Sequence, residues 1–193
     1  MIDIPLELDP SRPNEYRLAV TGHRPDKLQV DGEAPYDGRA YATLCRFAER
    51  ELAMVRDMVR GRSPSRFVII TGMALGWDQA IAEVSYSFGL PYEAFIPFPG
   101  FDQRWPKSSR RRYEGLLSFA SRVVYVSDGD YAAWKMMKRN EAMVDYALEA
   151  TGKGLMALWN GSAGGTCNTV RYARRHGLVV GNLWQKWLAF TRQ

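Results

Sequence analysis

Apolar residues in this chain recur in two rhythms that take turns. Short, mostly apolar runs sit at Glu15–Thr21, Phe67–Ile70, Glu93–Ile96, Arg122–Val126, Leu155–Trp159 and Leu178–Val180. Runs of that length, rich in branched and aromatic side chains, are what strands buried on both faces require. Between them lie longer stretches in which apolar side chains return every three or four residues. The clearest is Arg39–Arg60, with Tyr41, Leu44, Ala48, Leu52, Val55 and Val59 on one stripe and charges between. That spacing predicts a long amphipathic helix, stopped by Gly61 and Ser63-Pro64. Helices are likewise predicted over Asp78–Phe88, Ser108–Ala120, Ala132–Ala150 and Cys167–His176. Asp26–Gly38, dense in Asp, Gly and Pro, reads as a loop.

Strands alternating with helices predict an α/β fold of Rossmann-like type, a three-layer sandwich around a mostly parallel sheet. No composition break or internal repeat divides the 193 residues, so a single domain is expected, its core at about 16–182. The tail 183–191 carries Trp184, Trp187 and Leu188 at helical spacing and predicts a closing helix.

Composition removes several function classes. Met1–Pro10 carries Asp3, Glu7 and Asp9 without a basic start or an apolar run, which argues against a secretory signal. No apolar stretch is long enough to cross a bilayer. Two cysteines, Cys45 and Cys167, fit neither a disulfide framework nor a metal knuckle, so no metal site is expected and a reducing cytoplasm is the simplest home. The net charge of +5 is a mild bias toward anionic partners. Its densest run, Arg104, Lys107, Arg110, Arg111 and Arg112, reads either as a solvated helix start or as a rim attracting phosphate or nucleic acid. No Gly-x-Ser-x-Gly elbow occurs, and Asn160-Gly161-Ser162 reads as a turn.

In parallel sheets ligands sit at the carboxyl ends of the strands, where strand order reverses. Three strand-to-helix handovers stand out: Thr21-Gly22-His23-Arg24-Pro25, Thr71-Gly72-Met73-Ala74-Leu75-Gly76-Trp77-Asp78, and Gly161–Thr166 with Gly164 and Gly165. Glycine lets a backbone approach a ligand closely, and a helix beginning there aims free amides and a positive dipole end at an anion. Tight turns also need glycine, so each loop alone has a purely structural explanation; three at one sheet edge favour a site. None completes the dinucleotide fingerprint or a Walker loop. His23 reads as a donor to phosphate or sugar, or as a loop histidine bonded to backbone. Arg24 and Arg139 offer planar forks for phosphate. Asp78 is a helix cap or an acceptor for a ribose hydroxyl. Gln103 and Trp105 follow the third strand, where an aromatic either stacks on a base or packs on the next helix. Asn140 shares a helix face with Met136 and Met143, the methionines reading as core. Thr166 offers a hydroxyl at a helix start, and His176 before Gly177 reads as a helix cap.

Five segments in series carry a resemblance. They are Thr21–Pro25, Thr71–Asp78, Pro97-Phe98 with Gln103 and Trp105, Arg139-Asn140 with Met143–Asp145, and Gly164–Thr166 with Asn168-Thr169. Together they resemble the SLOG superfamily, in its YpsA-like branch, related to DprA-type DNA-processing proteins and LOG-type phosphoribohydrolases. The resemblance implies a Rossmann-like fold, a pocket for nucleotides or ADP-ribose-like signals, and a homodimer. LOG-type hydrolases carry Pro-Gly-Gly-x-Gly-Thr-x-x-Glu, whose Glu acts with an Arg from a preceding helix. Arg139 matches that Arg, but Thr169 stands where the Glu belongs. Threonine cannot act as a base as a carboxylate can, so such activity requires Asp78, Glu141 or Asp145 to substitute.

The leading expectation is therefore binding of a phosphate-bearing, nucleotide-derived small molecule, as a sensor or sequestering module, with no cofactor required. N-glycosidic hydrolysis of a nucleotide is the first alternative. Single-stranded DNA binding is the second, weakened by scattered basic residues and no aromatic-interleaved platform.

Overall fold

The computed structural model describes residues 14–192; the acidic stretch at Met1–Pro10 lies outside them. Six strands, β1 (Glu15–Gly22), β2 (Arg66–Thr71), β3 (Tyr92–Ile96), β4 (Arg122–Tyr125), β5 (Gly152–Leu158) and β6 (Val180–Asn182), alternate with helices. The helices are α1 (Gly38–Arg60), α2 (Trp77–Ser87), α3 (Lys107–Phe119), α4 (Ala133–Leu148), α5 (Gly165–Arg175) and α6 (Trp184–Phe190). All strand pairings are parallel, in the order β4-β3-β2-β1-β5-β6. The fold is thus the expected Rossmann-like α/β sandwich.

Pleating explains why the strands read as unbroken apolar runs. Leu18, Val20, Ile69, Ile96, Met156 and Leu158 face one layer, with Leu44, Phe47 and Leu52 of α1, Trp77 of α2, Leu116 of α3 and Trp187 of α6. Their neighbours in sequence, Ala19, Ile70, Phe95, Leu155 and Ala157, face the other, against Met143 and Val144 of α4 and Val170 of α5. Successive side chains point to opposite faces, and both faces are covered. The closing helix completes the first layer, the Trp187 and Phe47 rings meeting edge-on at 5.2 Å.

The element boundaries depart from the sequence reading mainly around β5 and β6. β5 begins at Gly152 rather than Leu155, because Gly152-Lys153-Gly154 pairs with Tyr16–Leu18 despite lacking apolar side chains. β6 is shifted two residues on, from Leu178–Val180 to Val180–Asn182; Leu178 instead buries its side chain in the α4–α5 layer. The stretch read as the loop Asp26–Gly38 opens within a 3-10 turn at Pro25–Lys27, carries a bridge between Val30 and Glu33, and ends on the first residue of α1. No helix of the described residues is long and apolar enough to cross a membrane.

Candidate functional site

The sheet order turns back between β1 and β5. The chain moves outward from β1 through β4, then recrosses on α4 to lay β5 against the opposite side of β1. At such a reversal the loops leaving the two strands diverge and open a crevice. Here those loops are Gly22–Arg24 and Trp159–Gly164, paired up to the register Gly22 with Leu158.

The two loops are joined by hydrogen bonds rather than left apart. The His23 amide donates to the Leu158 carbonyl at 3.1 Å. His23 Nε2 lies 2.7 Å from Asn160 Oδ1 and 3.1 Å from the Asn160 amide nitrogen. Burial pushes the His23 imidazole below its ordinary value, against the hydrogen bond with Asn160; at neutral pH it is an uncharged bracket for the loop. Asn160 Oδ1 also accepts the Ser162 amide at 2.9 Å, which makes Asn160-Gly161-Ser162 the turn read from the sequence. The Thr166 hydroxyl, expected to face a ligand, donates instead to the Gly22 carbonyl at 3.0 Å. It ties the start of α5 to the end of β1.

Between these loops and the start of α4 opens a cavity of about 450 Å³, within the roughly 300–1,000 Å³ common for small-molecule sites. Gly22, His23, Arg24, Ala74 and Asp78 line it from the β1 and β2 sides, and Arg139 and Asn140 from α4. Gly164, Gly165 and Thr166 line it from the start of α5. The first intrahelical bond of α5 runs from the Asn168 amide to Gly164, so the amides of Gly165, Thr166 and Cys167 have no partner within the helix.

Arg139 and Asp78 are buried charges, each 5% exposed. The Arg139 guanidinium donates to the Gly72 carbonyl, and its Nε to Asn140 Oδ1 at 2.8 Å. Burial lowers its pKa, with Asp78 acting in the opposite direction. Burial raises the Asp78 carboxyl to about 6, opposed by the Arg139 charge, the Ala74 amide, Arg24 and the Gly22 amide. A Cβ at Gly72 would overlap the Arg139 guanidinium, so any side chain there would have to displace it. Asp78 is thus no mere helix cap: its carboxyl is buried at the cavity and senses the Arg139 charge.

The model of the family described as DNA recombination-mediator protein A matches residues 13–188. The chain belongs to that family. Among curated relatives, a Bacillus subtilis (strain 168) protein, the uncharacterized SPbeta prophage-derived protein YoqJ, is 26% identical over 149 residues. That match spans 69% of this chain and 83% of the relative. Two solved structures share the fold. DNA processing protein A from Helicobacter pylori, solved for its single-stranded DNA binding mode, superposes with a TM-score of 0.53 at 16% identity. It matches 89% of this chain, which spans 66% of that one. TM1055 gives a TM-score of 0.50 at 12% identity, over 86% of this chain and 72% of that structure. The SLOG resemblance read from five short segments therefore stands at the level of the superfamily.

Several family-matched residues are not at the cavity surface. Met73 is fully buried with a positive φ of 55°, a conformation costly for a side-chain-bearing residue. It is held by its amide donating to Thr71 Oγ1 at 3.2 Å and by Gln79 Nε2 donating to its carbonyl at 3.3 Å. Gly76 packs against His23 and Pro25 backbone, which sets the loop and not the ligand surface. Trp105 meets Phe101 and Tyr113 edge-on at 4.9 and 5.2 Å, so packing on α3 is its role; Gln103 covers Gly100. Asp145 accepts the Tyr172 hydroxyl at 2.9 Å, away from the cavity, and Glu141 does not line it. Thr169 is buried and donates to the Gly165 carbonyl at 3.0 Å within α5. Of the basic run, Arg110 pairs with Asp102 and Arg112 lies over the Tyr41 ring at 3.6 Å; none of the five lines the cavity.

Sequence reasoning missed Tyr131, Met137, Asp26, Lys27 and Cys167, all at the cavity surface. It also read Met136 as core, where the structure has it half-buried and lining the cavity. Neither a lone tyrosine before a helix nor a methionine on its first turns has a sequence signature that separates site from packing.

Proposed function

We propose that this chain binds a phosphate-bearing, nucleotide-derived small molecule in the cavity at the β1–β5 reversal and holds it without turning it over. The observation carrying this reading is the convergence of the free amides of α5, Arg24 and buried Arg139 on one cavity of small-molecule size. Backbone amides and a helix dipole favour an anion there, and arginine forks add charge-assisted hydrogen bonds. Asp78 and Asn140 supply acceptors and donors for sugar hydroxyls. ADP-ribose-like and mononucleotide ligands both meet that description. The proposal extends to a cytoplasmic location and a homodimer.

One observation favours a second reading, N-glycosidic hydrolysis. Asp78, raised to about 6, stands in the cavity with Arg139, and a carboxyl near neutrality suits proton transfer. Thr169 cannot join it. Single-stranded DNA binding, the property for which the Helicobacter pylori protein was solved, ranks third because none of the basic run around α3 lines the cavity.

The test is to heat-denature protein purified from cells, identify the released small molecules by mass spectrometry, and titrate apo protein with AMP and ADP-ribose by calorimetry. Saturable one-site binding with no free base released is the expected result. Released adenine would move the reading to hydrolysis. No carried molecule and no heat of binding would overturn it.

A further inference from the structure

The cavity has two chemically different sides. Its polar side is built from the β1 and β5 loops, Arg139 and the start of α5. Tyr131, Ala133, Met136 and Met137 add an apolar part to the lining, from the segment before α4 and its first turn and a half. Tyr131 is 62% exposed and Met137 46% exposed, so large apolar groups stand open at the mouth of a charged cavity, an arrangement that calls for an occupant.

The segment carrying Tyr131 is anchored. Lys135, only 7% exposed, turns its ammonium back to donate to the carbonyls of Asp128 and Asp130. That ammonium also lies 5.3 Å from the centre of the Phe98 ring. Tyr131 in turn meets Phe98 edge-on, with ring centres 6.2 Å apart. A buried lysine spent on loop carbonyls and an aromatic backing fix the Tyr131 backbone and one ring edge while leaving most of the ring open. Low-entropy aromatic surface of this kind is what stacking requires, and a neighbouring thioether adapts to a flat partner.

We infer that Tyr131 and Met137 form a stacking site for the base of a nucleotide whose phosphate lies at the polar side. The ligand is therefore a mononucleotide unit with its heteroaromatic ring attached, not a phosphorylated sugar alone. An aliphatic occupant would satisfy the apolar wall but leave Arg139 and the α5 amides without an anion; a sugar phosphate would do the reverse. Only an anion joined to a flat ring matches both. This inference rests on the binding reading above and refines it. Trp134, 56% exposed on the same turn but not lining the cavity, takes no part.

The experiment titrates wild type, Tyr131→Ala, Tyr131→Phe and Trp134→Ala with AMP and with ribose 5-phosphate. Stacking on one aromatic changes affinity by roughly tenfold. Wild type is expected to prefer AMP by about that factor. Tyr131→Ala should lose it while binding ribose 5-phosphate unchanged, and Tyr131→Phe and Trp134→Ala should keep it. Equal affinity for both probes, with Tyr131→Ala silent, would overturn the stacking site and leave the binding reading standing. Equal losses in Trp134→Ala would also overturn it, pointing to a strand laid across the surface. Binding of neither probe would remove both readings together.

Discussion

Arg139→Met is expected to destabilise the protein by about 1–3 kcal/mol near pH 7.5, because it leaves the Gly72 carbonyl without its donor and removes a cation that opposes the burial of the Asp78 carboxyl. The second effect acts through Asp78, which burial already holds at about 6 with Arg139 opposing the shift. Without that cation the influences still lowering the carboxyl are the nearby Ala74 and Gly22 amides and the more exposed Arg24. The sign of the pH dependence follows. A carboxyl whose folded pKa lies above its unfolded value contributes stability that is fully present below about 4 and lost as pH rises through the folded pKa. In wild type that loss falls between about 4 and 6; in Arg139→Met the window extends upward. The variant should therefore recover much of its deficit at pH 5, and Asp78→Asn added to it should restore stability at pH 7.5. In a chain of this size the deficit corresponds to roughly 2–12 °C in Tm. Urea denaturation at pH 5 and 7.5 decides it: a deficit equal at both would mean that the lost Gly72 hydrogen bond, not the orphaned carboxylate, dominates.

The layers of this fold were legible because burial on both sheet faces leaves an apolar run for each central strand and a 3.6-residue stripe for each covering helix. Ile69 and Ile70 face opposite layers and are both fully buried, so no polar residue interrupts β2. Where that pressure relaxes, the signal fades. The opening of β5, Gly152-Lys153-Gly154, is held by its backbone ladder to β1, and β6 at the sheet edge is three residues long.

The site was legible in part for a different reason. Its loops need residues that do conformational work, and glycine betrays them whether the space is taken by ligand, by Trp77 or by Arg139. That same ambiguity hid the role of the Thr166 hydroxyl, which closes the β1–α5 junction while Thr166 lines the cavity, and left Trp105 open between stacking and the packing on α3 that the structure shows. The apolar part of the lining escaped because its chemistry lies in exposure alone. Met136, Met137 and Met143 are the same residue type on one helix, and only the third dimension separates the buried Met143 from the open Met137.

Gly22→Ala carries the second large expected effect. A Cβ at Gly22 would stand within 2.6 Å of Trp77 Cγ and still closer to its Cβ and Cδ1. Trp77 opens α2, is fully buried, and packs against Phe47 with ring centres 5.7 Å apart, so it has nowhere to retreat. Either the end of β1 or the start of α2 must move. Overpacking costs about 1–3 kcal/mol, and three Trp77 atoms within 2.6 Å put this case at the upper end, roughly 6–12 °C in Tm for a chain of this length. The displacement also disturbs the cavity lining at Gly22 and Asp78, and AMP affinity should fall with stability. Gly161→Ala is the matching control. Gly161 has a φ of 91°, but no atom lies within 4 Å of where a Cβ would stand, so it should lose only about 1–2 kcal/mol of backbone strain. Thermal denaturation of both variants separates the cases: if Gly22→Ala melts no lower than Gly161→Ala, the β1–α2 contact is looser than its geometry requires, and glycine is there for the turn alone.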